Sequence, residues 1–242
     1  MVHTLPDYTT KYKMAKIFGN IDDAELAARL GSINTFDRRG NVVWMDDFEA
    51  ATLKWVSTTI GGLGSGALST DTARNGASCF KMVTDNVTNR GWQILKRLPI
   101  PESGRLGVEF SMSSAVDKWR ISVDFVLYTL AGTIRASYTW DEDSDRLWII
   151  PSSGVSTDIF TDAEHTQDIH LFNTMKLVVD IDNLKFVRAL WNDVEIDLSN
   201  YALRQTGYTA AYFLGVNINV HARENVAKTV YVDDVIITQN EL

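Results

Sequence analysis

Two stretches of this 242-residue chain set acids among β-branched and aromatic neighbours. VVWMDDFEA carries Asp46, Asp47 and Glu49 near the start, and VYVDDVIIT carries Asp233 and Asp234 at the far end. Such a pattern serves three chemistries: a hard-cation site, a pair of carboxylates for acid–base work, or acids that only face water. Along a strand, successive side chains point to opposite faces, so Asp233 and Asp234 are expected to part, one inward and one outward. An inward carboxylate must be paired, protonated or metal-bound, because burying a lone charge is costly.

Other candidates weaken under the same scrutiny. NDVEIDLSN resembles the catalytic strand of laminarinase-type glycosidases, where a second Glu follows Glu-Ile-Asp on the same face. Retaining hydrolysis needs both carboxyls, about 5–5.5 Å apart. Glu195, Ile196 and Asp197 match, but Ser199 stands where the acid/base would be, so the stretch reads as a hairpin turning at Asn192 and Asp193. His165 and His170, five apart around Asp168, form no metal motif and read as a loop entering a strand. Asp141 to Asp145, DEDSD, lack the central Gly and terminal Glu of a calcium loop and read as a hairpin turn. Trp92, Trp119, Trp140, Trp148 and Trp191 form either a sugar-stacking platform or core, and the sequence leaves both open. The single cysteine, Cys79, excludes an intrachain disulfide and reads as a buried strand residue.

The elements that position these residues are short and β-rich. From Asn41 onward about a dozen segments rich in Val, Ile, Phe, Tyr and Trp are separated by turn sequences, and alternation is clear at Val108, Phe110, Met112 and at Ile121, Val123, Phe125. This predicts an all-β chain, an antiparallel jelly-roll β-sandwich over 41–242. GGLGSGALS reads as a flexible loop. Residues 1–40 differ. They hold one helix signal, DDAELAARLGS, with Asp22 as N-cap, Glu25 as its capping-box partner and Gly31 at C′. Two to three turns are too few to stand alone in water. This arm is therefore expected to anchor on another surface through Tyr8, Tyr12, Ile17, Phe18, Leu26 and Leu30.

Net charge is −8, from 31 acids and 23 bases, which argues against nucleic acid as a partner. No apolar run approaches the length that crosses a bilayer, and the N-terminus carries no secretory h-region.

The order of features from Trp44 to Thr238 resembles carbohydrate-binding-module and concanavalin-like jelly-roll domains. The resemblance rests on DDFE at 46–49 followed by Trp55, on Gly76, Ser78, Phe80, Lys81 and Met82, and on Val232–Asp233–Asp234–Val235. It implies first and last strands that lie together, with Asp47, Glu49 and Asp234 as ligands of a structural calcium ion (Ca2+). Hydrogen bonding of these acids to backbone amides or Arg is the alternative. Such jelly rolls are common on phage surfaces, and with the anchoring arm this implies a non-enzymatic structural protein of a bacteriophage virion. The expected role is capsid decoration or accessory protein, made in the host cytoplasm. Its partners would be capsid or other virion subunits, copies of itself in a homo-oligomer, and a cell-surface glycan. The alternative is a carbohydrate-binding module acting on polysaccharide.

Overall fold

The computed structural model describes residues 39–100, 104–129, 132–207 and 212–242. Except for Arg39 and Gly40, the arm expected to anchor the domain, with the helix expected in it and the six apolar residues expected to attach it, lies outside the described residues.

Sixteen strands, and no helix among the described residues, form two antiparallel sheets. Sheet A runs in the order β13 (Val194–Asp197), β12 (Lys185–Trp191), β11 (Asp168–Asp180), β6 (Arg105–Ser114), β16 (Thr229–Gln239), β4 (Cys79–Val83), β3 (Ser65–Ser69), and β1 (Asn41–Asp46) also pairs with β16. Sheet B runs β10 (Thr157–Thr161), β9 (Arg146–Ile149), β8 (Gly132–Asp141), β7 (Trp119–Thr129), β15 (Phe213–Ala222), β5 (Gly91–Leu98), β2 (Val56–Ile60), and β14 (Arg204–Thr206) also pairs with β8. The jelly-roll sandwich expected from strand spacing is the architecture found.

Period-two alternation builds the core. Val108, Phe110 and Met112 of β6 face Ile121, Val123 and Phe125 of β7 through one continuous apolar cluster. Three tryptophans occupy one end. Trp140 stacks on Trp191 at 5.2 Å and meets Trp119 edge-on at 4.9 Å. Their indole N–H groups are not wasted: Trp140 donates to the Ala163 carbonyl and Trp119 to that of Val116, each at 2.8 Å. Cys79 is buried in β4, and burial pushes its thiol pKa up to about 12.

Four strands escape the sequence pattern, namely β2, β3, β10 and β14. All are short and carry small or polar residues. The stretch read as a flexible loop is in part strand β3, paired to β4 from Ser65 to Ser69. Its Gly66 is required by packing, since a Cβ there would overlap the indole of Trp92.

The outer face of sheet A is charged yet buried. Glu241 lies against Gly107 and accepts hydrogen bonds from Thr238 and Arg188, and its carboxylate is 2.8 Å from Lys176 Nζ. Lys176 is also 3.8 Å from Glu109. These charges pair with one another inside the protein, which offsets part of the cost of burying them.

Candidate functional site

The paired acids of β16 mark a change of strand partner. Thr229 to Val232 pair with β4, whereas Val235 to Gln239 pair with β1, both on the same edge. Between them the register slips, and Asp234 takes a positive φ of 49°. The alternation therefore fails here: the bulge leaves both carboxylates buried instead of parting them. They replace the missing strand partner. Asp233 accepts from the backbone N–H of Arg74 and of Asp234, each at 2.8 Å, while Asp234 accepts from Asn75 Nδ2 at 2.6 Å and lies 3.7 Å from Arg74 Nη1. Burial, with the charge of Asp234 alongside, raises the Asp233 pKa to about 7. Burial also raises that of Asp234.

The upstream acids are bonded likewise. Asp46 accepts from Lys54 Nζ at 2.9 Å and Trp55 Nε1 at 3.0 Å, and Asp47 from the N–H of Glu49 at 3.2 Å. Glu49 accepts from the N–H groups of Ala77 and Ser78, both at 2.7 Å. The fold brings Asp47, Glu49 and Asp234 into one neighbourhood, close enough for the first two to raise the pKa of the third. Among the described residues no group of three or more His, Cys, Asp or Glu side chains is placed to hold a metal ion.

Glu195 and Asp197 lie exposed on β13, at the outer edge of sheet A, and Glu195 pairs with Arg39. The hairpin expected at Asn192–Asp193 is present, as is the turn at Asp141–Asp145. His165 does precede a strand, in the loop before β11, but its ring is wedged against Trp119 and Trp140. Neither ring nitrogen has a hydrogen-bond partner among the described residues, and burial lowers its pKa to about 4.

A concavity lies elsewhere, on the outer face of sheet B, with a volume of about 400 Å³. Because Trp119, Ile121, Val123, Phe125 and Leu127 of β7 point into the core, Arg120, Ser122, Asp124, Val126 and Tyr128 point into this groove. Register then assembles cross-strand rungs. One rung runs Gln93, Asn219, Ser122, Thr139, Trp148 across five strands. The next places Asn217, Asp124 and Ser137 side by side. A third carries His221, Arg120 and Asp141. At the other end stand Arg97, Gly215, Val126, Arg135 and Arg204.

Hydrogen bonding fixes the floor. Asn219 Nδ2 donates to Asp124 at 2.7 Å and to Ser122 at 3.1 Å. Desolvation raises the Asp124 pKa, opposed by hydrogen bonds from Ser137 and Asn219 and by the charge of Arg135. His221 Nδ1 lies 3.2 Å from the Asn89 carbonyl, which assigns its proton to that nitrogen. Burial and the neighbouring Arg120 lower the His221 pKa, so the ring is neutral near pH 7. Two further groups, Thr139 Oγ1 and Asn217 Oδ1, are buried without a partner among the described residues. An unmade hydrogen bond of this kind costs about 1–3 kcal/mol.

Of the five candidate platform tryptophans, only Trp148 lines the groove. Trp119, Trp140 and Trp191 are core, and Trp92 turns inward to donate to Ser57 at 2.6 Å. The polar rungs escaped sequence reading, because their members are scattered from Gln93 to His221. The usable signal was parity: Trp148 is out of phase with the buried Leu147 and Ile149, whereas Trp140 is in phase with Tyr138.

No protein-family model matches the chain, and no curated protein matches it. Solved structures do resemble it. The conserved carbohydrate esterase of Shiga toxin-encoding bacteriophage phi24B aligns with TM-score 0.51 and 13% identity, over 77% of this chain and 90% of that one. The β-glucanase of Bacillus licheniformis aligns with TM-score 0.48 and 9% identity, over 81% and 97%. The CBM2 module of the evolved Dit of Lactobacillus casei BL23 phage J-1 aligns with TM-score 0.45 and 11% identity, over 84% and 97%. At such identities the likeness concerns the fold, and the class it defines is the jelly-roll β-sandwich.

Proposed function

We propose that this chain is a glycan-binding jelly-roll domain, non-catalytic, whose ligand lies in the groove on sheet B. The observation that carries the reading is the polar ladder on that face. Amide, hydroxyl and guanidinium groups alternate with the core residues of the same strands, beside a half-buried Trp148. Sugars offer many hydroxyls and one apolar face, and such a surface supplies hydrogen bonds for the first and an aromatic ring for the second. Asp124 is the one carboxylate among the described groove-lining residues. Glycoside hydrolysis by the usual route needs two acids flanking the bond, so this groove is suited to holding a chain without cutting it.

In this reading residues 1–40 attach the domain to a larger assembly. A bacteriophage virion is the assembly proposed, because the arm is rich in large apolar side chains yet too short for a core of its own. A glycan array followed by calorimetry tests the groove: Trp148→Ala and Gln93→Ala should each weaken binding of any hit several-fold. Full-affinity binding by both variants would move the site off this face. Incubation of the hit with the protein should release no new reducing ends. Attachment is tested separately: Tyr12→Asp with Phe18→Asp should prevent incorporation into particles, and normal incorporation would remove the anchoring role.

A further inference from the structure

The groove of sheet B is not uniform along its length. Its end rung holds three arginines, Arg97 on β5, Arg135 on β8 and Arg204 on β14, separated by the small residues Gly215 and Val126. Arg135 and Arg204 are direct cross-strand neighbours, and like charges so placed repel. None of the three donates a hydrogen bond to, or forms an ion pair with, any described residue. The partner of Arg97 is a ring, with its guanidinium 5.0 Å from the Phe213 centroid. Phe213 in turn packs on Tyr128 at 4.5 Å, which holds that guanidinium over the groove end. An acid, Asp124, stands on the next rung, and burial raises its pKa and so resists its ionising. In a chain of net charge −8, two guanidiniums lining one concavity, with a third on the same row and none in an ion pair with a described residue, run against the whole-molecule sign.

Resting on the groove reading above, we propose that this basic rung is an anion subsite and that the glycan bound is acidic, its charged sugar seated on Arg135 and Arg204. A guanidinium offers a planar fork of donors that matches a carboxylate in two parallel hydrogen bonds. Two such forks on adjacent strands, roughly 5 Å apart, hold one carboxylate between them. Arg97 stands roughly 14 Å away across the low Gly215–Val126 saddle, three strand spacings off. The neutral rungs at Asp124 and Ser122 continue the site along the strands, where the rest of the oligosaccharide lies. Nucleic acid fits less well. Its phosphates call for a continuous basic track with successive stacking aromatics, whereas here the Ser122 and Asp124 rungs separate the arginine row from Arg120 at the far end, and Trp148 is the one tryptophan among the described groove-lining residues.

Calorimetry on the full chain tests this with oligogalacturonate and oligoalginate, each beside its carboxyl-reduced neutral counterpart. The acidic form should bind at least about tenfold more tightly, and the preference should fall with added salt. In R135Q/R204Q the ratio of the two affinities should collapse towards one, with Arg97→Gln giving a smaller loss. Melting midpoints verify that the variants fold. A sulfated galactan oligosaccharide preferred over its desulfated form, with the same dependence on Arg135 and Arg204, supports the subsite with sulfate as the anion. Equal affinity for acidic and reduced forms, both weakened by Trp148→Ala, overturns the acidic preference and leaves the groove standing. Absence of binding by every oligosaccharide, or tighter binding of a single-stranded oligonucleotide, overturns the groove reading and the subsite with it.

Discussion

The two sheets present outer faces built by the same alternation and put to opposite uses. On sheet A, Glu109, Lys176, Arg188 and Glu241 are charged, dry and bonded to one another. On sheet B, Arg135, Arg204 and Trp148 line a concavity with Arg97 on the same cross-strand row, and the three arginines form no ion pair with a described residue. Polar residues opposite a core stripe therefore say which way a side chain points, not whether its charge is already paired. Ion pairing separates the structural face from the receptive one.

Substitutions on the two sides of sheet B break that comparison most sharply. Trp140→Ala, in the core, should cost about 3–5 kcal/mol in denaturant unfolding. Trp148→Ala, on the adjacent strand and next to the cross-strand partner of Trp140 but facing the groove, should cost less than about 1 kcal/mol while weakening glycan binding. Equal losses for the two would contradict the assignment of faces. Next in size, Glu241→Ala withdraws the carboxylate shared by Lys176 and Arg188 and should destabilise by about 3 kcal/mol, with binding in the groove unaltered.

A further effect is expected from pH. The folded chain holds the proton of Asp233 more tightly than the unfolded chain does, with a folded pKa of about 7 against an ordinary value of 3.8. Its contribution is thus full below about pH 4 and is lost as pH rises through 7. His165 acts in the opposite sense: its folded pKa of about 4 lies below 6.5, so stability is lost as pH falls from 6.5 towards 4. Melting curves across pH 4–8 should show Asp233→Asn flattening the alkaline decline and His165→Phe flattening the acid one. Smallest of all should be the response to metal removal. With Glu49 held by two amides and Asp234 by Asn75, a chelator should move the melting midpoint by less than about 1 °C, and a larger fall would establish the calcium site at Asp47, Glu49 and Asp234.

Much of the fold was legible because long strands such as β6 and β7 repeat a clean period of two. The short edge strands were not, since VSTTI, SGALS, TDIFT and RQT owe their conformation to a neighbour's hydrogen-bonding edge, not to their own side chains. Asp233 and Asp234 misled for a related reason: a bulge at a change of strand partner has no local signature and cancels the alternation. The groove lay deepest in the sequence. Arg97, Arg135 and Arg204 are dozens of residues apart, and only the register of five strands makes them one row.

The place of β16 in sheet A has a consequence for how the molecule is made. Val42 pairs with Thr238, so that contact spans nearly the whole sandwich, and β4 and β6 also wait for the same strand. A ribosome must release residues beyond 239 before half the sandwich has its central member. Closure is therefore a late and non-local step, slow by the standards of small proteins. Until then β1, β4 and β6 offer bare edges to any neighbouring nascent chain.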